Sequence, residues 1–410
     1  MSKKRFIFII FILMMLCSCG LPESKTETSD VSPSLSEEKQ NARSFNRIGA
    51  LMTKDASSQT LYFLNKSGGA GQYLAYADMN AEVTGILCGK AECLHDSSSC
   101  NAFLGSHHLN SNICFYQNHI YWIMLSGEDL SYRLYRMDMN GENHREVFRL
   151  SNGSDDKNCP SGNIYLQIAD DKVVLAGAVE RVTDGEYLYR QLVNTYDLSN
   201  GNRATVFDSG FNPYNAAISI QCRDHFVYYA YGAQIQIDSD ENRNVYKSIV
   251  GRISLSNGNS EVLYDEESPE AWIFWEFTPV ESGVYFITSF DSEKIALYYY
   301  DFKSSLVQRC FLEGKDSLYT CWMTDQFVVS FERLNDIQFS IVVYDFTGKK
   351  KLDRSYTWDG LKNTFFWFCG SDQQNLYFQF QTMDMETSTY TAVPLDGSPM
   401  KVIYKEGGGE

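Results

Sequence analysis

Short apolar runs rich in aromatic and β-branched residues recur along the chain at intervals of about fifty residues. Each is followed by a second apolar run that ends near an Asp or Ser, then by a tight turn and a third run. The aromatic runs lie at residues 61–63, 120–122, 173–175, 227–229, 284–286, 328–329 and 376–378. The turns include Asn140-Gly141, Asn200-Gly201, Asn257-Gly258, Thr347-Gly348 and Asp396-Gly397. Because Asn, Asp and Gly tolerate positive φ, these turns predict β-hairpins.

A further short apolar run precedes most of the aromatic runs, for example at residues 112–116, 217–222, 319–323 and 364–369. Four strands in each repeated unit are typical of a β-propeller blade. A stack of β-sandwich domains is the alternative, but separate sandwiches would not repeat one hairpin register along the chain. We therefore predict an all-β fold, a β-propeller of seven blades with four antiparallel strands each, over residues 46–406. Six or eight blades remain open.

The first twenty residues have the pattern of a secretion signal. Lys3, Lys4 and Arg5 precede an apolar run at residues 6–16, which is too short to span a bilayer. The run ends in Leu16-Cys17-Ser18-Cys19, which matches a lipobox. We predict that residues 1–18 are a cleaved lipoprotein signal peptide and that Cys19 carries a diacylglycerol anchor. The alternative is a single-span anchor with two bystander cysteines.

Residues 19–45 then form a lipidated cysteine and a flexible tether. Residues 21–43 are rich in Ser, Thr, Glu and Lys and lack aromatics, so they cannot bury enough apolar surface to fold. The net charge of −17 falls to −20 when the three basic residues of the signal are lost. A chain with this much negative charge repels nucleic acid. We expect a protein anchored to the cell membrane through its lipid, on the extracytoplasmic face, with no nucleic-acid partner.

One segment concentrates residues that bind metals. Cys88, Cys93, His95 and Cys100 have the spacing Cys-x4-Cys-x-His-x4-Cys and lie in a predicted connection between blades 1 and 2. Three thiolates and an imidazole can bind zinc or iron. An oxidising exterior instead favours a disulfide, with the third cysteine free or paired elsewhere, for example with Cys159. We expect no cofactor in the disulfide case, and zinc or another metal at the cluster in the other.

The other cysteines and aromatic runs predict buried structure. Cys114, Cys222, Cys321 and Cys369 each lie on the short strand before an aromatic strand, which predicts thiols in the innermost strands of the blades. Cys310 falls on an outer strand. The aromatic runs at residues 272–275 and 365–368 could stack on carbohydrate, but inner strands favour packing between blades.

The longer connections predict a working face. In a propeller, the links between the second and third strands open on the same face as the links between blades, and binding residues concentrate on such loops. We predict that residues 180–187, 234–245 and 291–294 are loops on this long-loop face. Acidic residues on its connections would attract a cation or simply keep the rim solvated: Asp155, Asp156, Asp184, Glu186, Asp238, Asp240, Glu241, Asp265, Glu266, Glu267, Glu270 and Asp291.

The lipobox, the repeated hairpins and residues 88–102 together resemble bacterial β-propeller surface lipoproteins of the TolB-like group. The resemblance implies a fold and a location, and relatives of this architecture commonly bind or scaffold at the cell envelope. The chain lacks Gly-x-Ser-x-Gly, His-Glu-x-x-His and P-loop motifs. We predict a non-enzymatic module that binds an envelope or extracellular protein or glycan. The alternative is an extracytoplasmic lyase, hydrolase or redox enzyme that uses the Cys/His cluster or loop carboxylates.

Overall fold

A computed structural model describes residues 52–405, apart from 56–59, 68–70, 96, 98, 106–110, 154–155, 162–163, 184, 214–215, 239–242, 269–270, 291–293, 315–320 and 384–386. The predicted signal peptide, Cys19 and the tether lie outside the described residues. In the described residues we find no helix with the length and hydrophobicity needed to cross a bilayer. They contain one short 3-10 turn, at Asp359–Leu361.

The strands form seven antiparallel sheets, which we number as blades 1 to 7. Blades 1 to 3 contain β1 (Met52–Asp55), β2 (Thr60–Ser67), β3 (Gly71–Asp78), β4 (Val83–Ile86) and β5 (Phe103–Gly105); β6 (Cys114–Tyr116), β7 (His119–Leu125), β8 (Tyr132–Asp138) and β9 (Arg145–Arg149); and β10 (Tyr165–Ala169), β11 (Lys172–Thr183), β12 (Glu186–Asp197) and β13 (Arg203–Asp208). Blades 4 and 5 contain β14 (Ala216–Arg223), β15 (Phe226–Asp238), β16 (Arg243–Ser254) and β17 (Ser260–Ser268); and β18 (Ala271–Val280), β19 (Gly283–Phe290), β20 (Lys294–Asp301) and β21 (Leu306–Gly314). Blades 6 and 7 contain β22 (Cys321–Met323), β23 (Phe327–Arg333), β24 (Gln338–Asp345) and β25 (Lys350–Thr357); and β26 (Thr364–Ser371), β27 (Asn375–Thr382), β28 (Ser388–Pro394) and β29 (Lys401–Lys405).

The predicted seven-bladed propeller is confirmed. Blades 2 to 7 are simple meanders whose strands pair in chain order, and blade 1 differs only in that β5 also pairs with β3. The aromatic runs of the sequence are the second strands. The first strands of successive blades contact one another from β1 and β6 through to β18 and β22, so the first strand is the innermost one. As predicted, Cys114, Cys222, Cys321 and Cys369 lie on these innermost strands, and Cys310 lies on an outer strand.

The turn between the third and fourth strands has the same hydrogen bonding in blades 1, 3, 5 and 6. There the Asp that ends the third strand accepts from backbone N–H groups two to four residues later, as Asp345 Oδ1 does from Thr347 and Lys349. Such Asx turns replace backbone hydrogen bonds at the point where the strand reverses. The glycine near the end of the turn has positive φ, +82° at Gly348 and +80° at Gly397. In blades 1 and 5, Glu82 (φ +53°) and Ser305 (φ +55°) take this left-handed position. The Asp/Ser-plus-Gly pattern therefore favours this turn, because glycine adopts positive φ most readily.

Apolar side chains fill the spaces between blades. Between blades 2 and 3 the buried side chains include Tyr121, Leu134, Leu166 and Tyr196. Between blades 6 and 7, Phe331 stacks on Phe366 with ring centroids 4.0 Å apart. Each sheet thus buries both of its faces against neighbours, which explains why the strands read as nearly continuous apolar runs.

Polar side chains join the innermost strands of neighbouring blades. The Asn112 amide donates to the Leu166 carbonyl (2.9 Å) and accepts from the Leu166 N–H (2.8 Å). Gln167 on β10 makes the same pair of bonds to Ile220 and Cys222 of β14. The series continues with Gln221, which donates to the Phe277 carbonyl, and with Glu276, which accepts from the Met323 N–H. Blades 2 to 6 are therefore linked at the inner edge by buried hydrogen bonds.

Among the described strands, none is exchanged between the two ends of the ring. Blade 1 is built only from the N-terminal strands, and blade 7 only from the C-terminal ones. Their contact is made by side chains such as Phe63, which lies 4.6 Å from the Tyr390 ring. The Tyr390 hydroxyl donates to the Leu64 carbonyl across this seam (3.1 Å). Blade 1 is therefore held at the seam by packing and by this side-chain hydrogen bond.

Two predicted loops are strands instead. Residues 180–183 and 186–187 continue the hairpin β11–β12, with pairs such as Val182 with Tyr187. Residues 234–238 and 243–245 likewise continue the hairpin β15–β16. The prediction was wrong because β-branched and aromatic residues favour paired strands even where charged residues interrupt the apolar run. The face that carries the links between blades therefore bears two long hairpins, in blades 3 and 4, where loops were expected.

Candidate functional site

The Cys/His segment is an insertion in the outer strand of blade 1. Strands β4 and β5 both pair with β3, and residues 87–102 leave the sheet between them. The Leu87 N–H donates to the Leu74 carbonyl, and the Leu74 N–H donates to the Ala102 carbonyl (both 2.9 Å). Both ends of the insertion are thus anchored at one point of β3. The predicted position between blades 1 and 2 was wrong, because Phe103–Gly105 returns to blade 1.

The insertion brings its four candidate ligands together. The thiol sulfurs of Cys88, Cys93 and Cys100 and a ring nitrogen of His95 all lie within 4.8 Å of one another. His95 Nδ1 is 3.3 Å from Cys100 Sγ. Among the described residues this is the only such group of three or more His, Cys, Asp or Glu side chains.

Burial and hydrogen bonding give the sulfurs different acidities. Burial alone would raise the pKa of Cys88, but the backbone N–H groups of Lys90 and Asn101 and the neighbouring thiols bring it below its ordinary value. Burial raises the pKa of Cys100 to about 12, although the Ala102 N–H acts in the opposite direction. The surroundings of Cys88 thus favour loss of its proton, whereas those of Cys100 oppose it.

No disulfide joins any two of the nine cysteines that the structure describes. The suggested partner, Cys159, is buried among the side chains between blades 2 and 3, where the Tyr196 hydroxyl lies 3.6 Å from its sulfur. Burial raises the pKa of the Cys159 thiol to about 11. The suggestion that Cys159 pairs with the cluster was wrong. Cys159 lies in the core, although its neighbours in the sequence are polar.

The insertion rests on the turn between β8 and β9 of blade 2. The Gly89 N–H (3.3 Å) and the Asn101 side-chain amide (2.8 Å) both donate to the Gly141 carbonyl. His144 Nδ1 lies 3.0 Å from the Asn101 carbonyl, and the His144 ring packs edge-on against Trp122. This turn joins a third strand to a fourth, so it opens on the face opposite the links between blades. The cluster therefore does not lie on the long-loop face, although the sequence pattern placed it there.

Three of the acids that the structure describes on the expected working face form ion pairs: Asp156, Asp265 and Glu267. Asp156 is buried and accepts from Arg203 (2.9 Å). Burial opposes its ionisation, but Arg203 and the N–H groups of Asn152 and Asn158 hold its pKa below the ordinary value. Lys247 lies between Asp265 (3.3 Å) and Glu267 (3.1 Å). These carboxylates therefore form ion pairs within the protein. Asp155, Asp184, Asp240, Glu241, Glu270 and Asp291 lie outside the described residues.

The long-loop face also carries exposed apolar side chains on blades 6 and 7, which sequence reasoning missed. We call this set the apolar patch: Leu334 (47% exposed), Ile337 (41%), Phe365 (46%), Trp367 (39%) and Met383 (56%). Leu334 and Ile337 lie on the β23–β24 link, and Met383 follows β27. Phe365 and Trp367 lie on the innermost strand β26. For these two, the predicted packing between blades was wrong, whereas Phe366 and Phe368 are packed there.

Backbone hydrogen bonds hold the patch in place. The Trp358 N–H donates to the Ile337 carbonyl (2.7 Å), and the Met383 N–H donates to the Asn363 carbonyl (3.0 Å). Arg333 donates to the carbonyls of Leu361 and Thr364. Both neighbouring links are thus tied to the connection between β25 and β26. Four consecutive aromatics on a strand must place two on each face, and this alternation was the signal in the sequence.

Comparisons with known proteins show the fold. The chain is similar to a prolyl endopeptidase, with a TM-score of 0.56 and 9% identity over 89% of this chain and 50% of that one. It is similar to prolyl oligopeptidase B from Galerina marginata, with a TM-score of 0.52 and 9% identity over 84% of this chain and 49% of that one. It thus spans about half the length of these two proteins.

TolB from Acinetobacter baumannii is a looser match, with a TM-score of 0.34 and 13% identity over 83% of this chain and 81% of that one. A scan against models of protein families finds no match. A search of curated protein sequences finds none either. The similarity is one of fold, the propeller.

Proposed function

We propose that the protein is a lipid-anchored, extracytoplasmic propeller that binds an envelope or extracellular protein or glycan through the apolar patch on blades 6 and 7. The observation that carries the proposal is the exposure of Phe365 and Trp367 on an innermost strand. Exposed apolar groups that are grouped on one surface, rather than scattered singly, are characteristic of interaction sites.

The kinds of side chain in the patch suit binding. Phe and Trp offer a large flat surface with few rotatable bonds, so little conformational entropy is lost when a partner covers them. Leu334, Ile337 and Met383, on the links of blades 6 and 7, add further exposed apolar side chains to this face. A protein side chain or the apolar face of a sugar ring could stack on either aromatic ring.

The scaffold under the patch is rigid. Phe366 and Phe368 alternate with the exposed rings along β26 and are packed against Phe331 and Trp322. Because β26 is fixed from its buried side, Phe365 and Trp367 are held ready for a ligand. Preorganisation of this kind lowers the entropic cost of binding. The lipid on Cys19 and the tether would present this surface outside the membrane.

The test compares capture by three forms of the full-length protein in detergent: the natural chain, a Phe365→Ser/Trp367→Ser variant, and a Val262→Ser/Leu306→Ser control. Val262 and Leu306 are 53% and 66% exposed but lie on the outer strands of blades 4 and 5. Each form is incubated with solubilised envelope proteins and, separately, with envelope glycans from the producing cells. We expect a species that the natural chain and the control retain equally.

The patch variant should bind that species at least about tenfold more weakly, since loss of one aromatic anchor costs more than about 1.4 kcal/mol. Unchanged far-ultraviolet circular dichroism would show that the variant is folded. Equal binding by the patch variant and the natural chain would contradict the proposal.

A further inference from the structure

The inserted segment of blade 1 turns its cysteine and histidine side chains inward and its apolar side chain outward. Among the described residues from 88 to 100, the only side chains that are not exposed are Cys88, Cys93, His95 and Cys100. Leu94, between two of them, is 82% exposed. The interior of this segment therefore consists of thiols and one imidazole, which bury too little apolar surface to fix a loop of this length.

The mutual distances fit four ligands of one ion. A tetrahedral zinc ion with bonds of about 2.3 Å to sulfur and about 2.0 Å to nitrogen places neighbouring ligand atoms about 3.5–3.8 Å apart. The four ligand atoms lie within 4.8 Å of one another, and His95 Nδ1 is already 3.3 Å from Cys100 Sγ. A small contraction of the group brings every ligand to bonding distance.

We propose that Cys88, Cys93, His95 and Cys100 bind one structural Zn²⁺, which fastens the outer strand of blade 1 to the outer hairpin of blade 2. Three thiols lose their protons on binding, and the imidazole binds in its neutral form. With four protein ligands the coordination shell is closed, so the ion holds structure and leaves no position for a substrate.

A disulfide explains the arrangement less well. A disulfide would join two of the three sulfurs, and it would not explain why the third thiol and the imidazole lie beside them.

The zinc-bound segment would act on blade 2 through residues beside the ligands. Gly89 follows Cys88 and Asn101 follows Cys100, and both donate to the Gly141 carbonyl. In the part of the chain that the structure describes, no strand from the C-terminal end pairs with blade 1. The zinc site would therefore hold the terminal blade from its other side.

The experiment measures metal in the full-length protein, purified in detergent without chelators, by inductively coupled plasma mass spectrometry. We expect about one zinc per chain in the natural protein. The variant Cys93→Ser/His95→Asn should lose it. The control Cys310→Ser/His225→Asn removes the same residue types elsewhere, and His95 and His225 both have positive φ (55° and 65°), which Asn tolerates. The control should keep its zinc.

Two further readouts make the result independent of how the variant folds. In the natural protein, Cys88, Cys93 and Cys100 should resist alkylation until a chelator is added. The chelator should also speed hydrogen exchange in β5 and in residues 139–144, and leave β14–β17 unchanged. A mapped disulfide between two of the three cysteines, or free alkylation of all three without stoichiometric zinc, would overturn the site. Unchanged exchange in residues 139–144 would overturn the fastening.

Discussion

At the scale of single residues, Gly141 shows how one position can serve two purposes. Its φ of +81° is the left-handed conformation that ends the β8–β9 turn. A Cβ there would also lie 2.7 Å from the Leu87 carbonyl oxygen and 2.9 Å from Cys88 Cα. The glycine therefore permits both the turn and the close approach of the cysteine-containing segment.

Replacing Gly141 by Ala should destabilise the protein more than the same change at Gly258. Gly258 has a similar φ, +73°, in the corresponding turn of blade 4, and no atom lies within 4 Å of its added Cβ. Gly258→Ala should lower the free energy of unfolding by about 1–2 kcal/mol through backbone strain alone. Gly141→Ala should cost a further ~1–3 kcal/mol, since backbone atoms of the insertion must move.

Urea denaturation of both variants, followed by tryptophan fluorescence, measures the two losses. Gly141→Ala should also expose Cys88 to alkylation, whereas Gly258→Ala should not. Equal losses of stability would mean that the insertion does not press on the turn. The Asn-Gly pattern predicted the turn at both sites, but the contact with the insertion joins residues fifty positions apart and leaves no local pattern.

At the scale of elements, the pattern of strands and turns in the sequence predicted most of the fold. Aromatic second strands and Asp/Ser-plus-Gly turns predicted the blades because both are local requirements of backbone and pairing. The outer strand of blade 1 could not be predicted, because β5 is a three-residue strand separated from β4 by a segment without strand character. Likewise, alternation along residues 365–368 predicts two faces, but which face a neighbouring blade covers depends on the whole ring.

The polar links between innermost strands lead to a prediction at this scale. Replacing Gln167 by Leu should lower the free energy of unfolding by about 2–6 kcal/mol. The change leaves the Ile220 carbonyl and the Cys222 N–H buried without the bonds that Gln167 makes to them, at about 1–3 kcal/mol each. The control is Gln308→Leu, at an exposed position of the outer strand β21.

Chemical denaturation compares the two glutamine variants with the natural protein. Gln308→Leu should unfold within about 0.5 kcal/mol of it, as surface changes usually do. If Gln167→Leu were equally mild, water or a backbone shift would have to satisfy both groups, and the links would not contribute to the cohesion of the ring.

At the scale of the whole molecule, the propeller places two features on different parts of its surface. The apolar patch lies on the face with the links between blades, on blades 6 and 7. The cysteine insertion lies at the outer edge of blade 1, against a turn that opens on the opposite face. The apolar patch therefore suits contact with a partner, and the cysteine insertion suits stabilisation of the ring. The sequence predicted the cluster as a group but not its side of the molecule, because the chain returns to β3 after it.

The proposed function depends on the place of the propeller outside the membrane, held by Cys19. Intact-mass and N-terminal peptide analysis of the protein from the membrane fraction of the producing cells tests this most directly. We predict a mature chain that begins at Cys19 and carries a diacylglycerol, unchanged in Cys17→Ser and absent in Cys19→Ser. A chain that retains residues 1–18, or that begins elsewhere without lipid, would contradict the account.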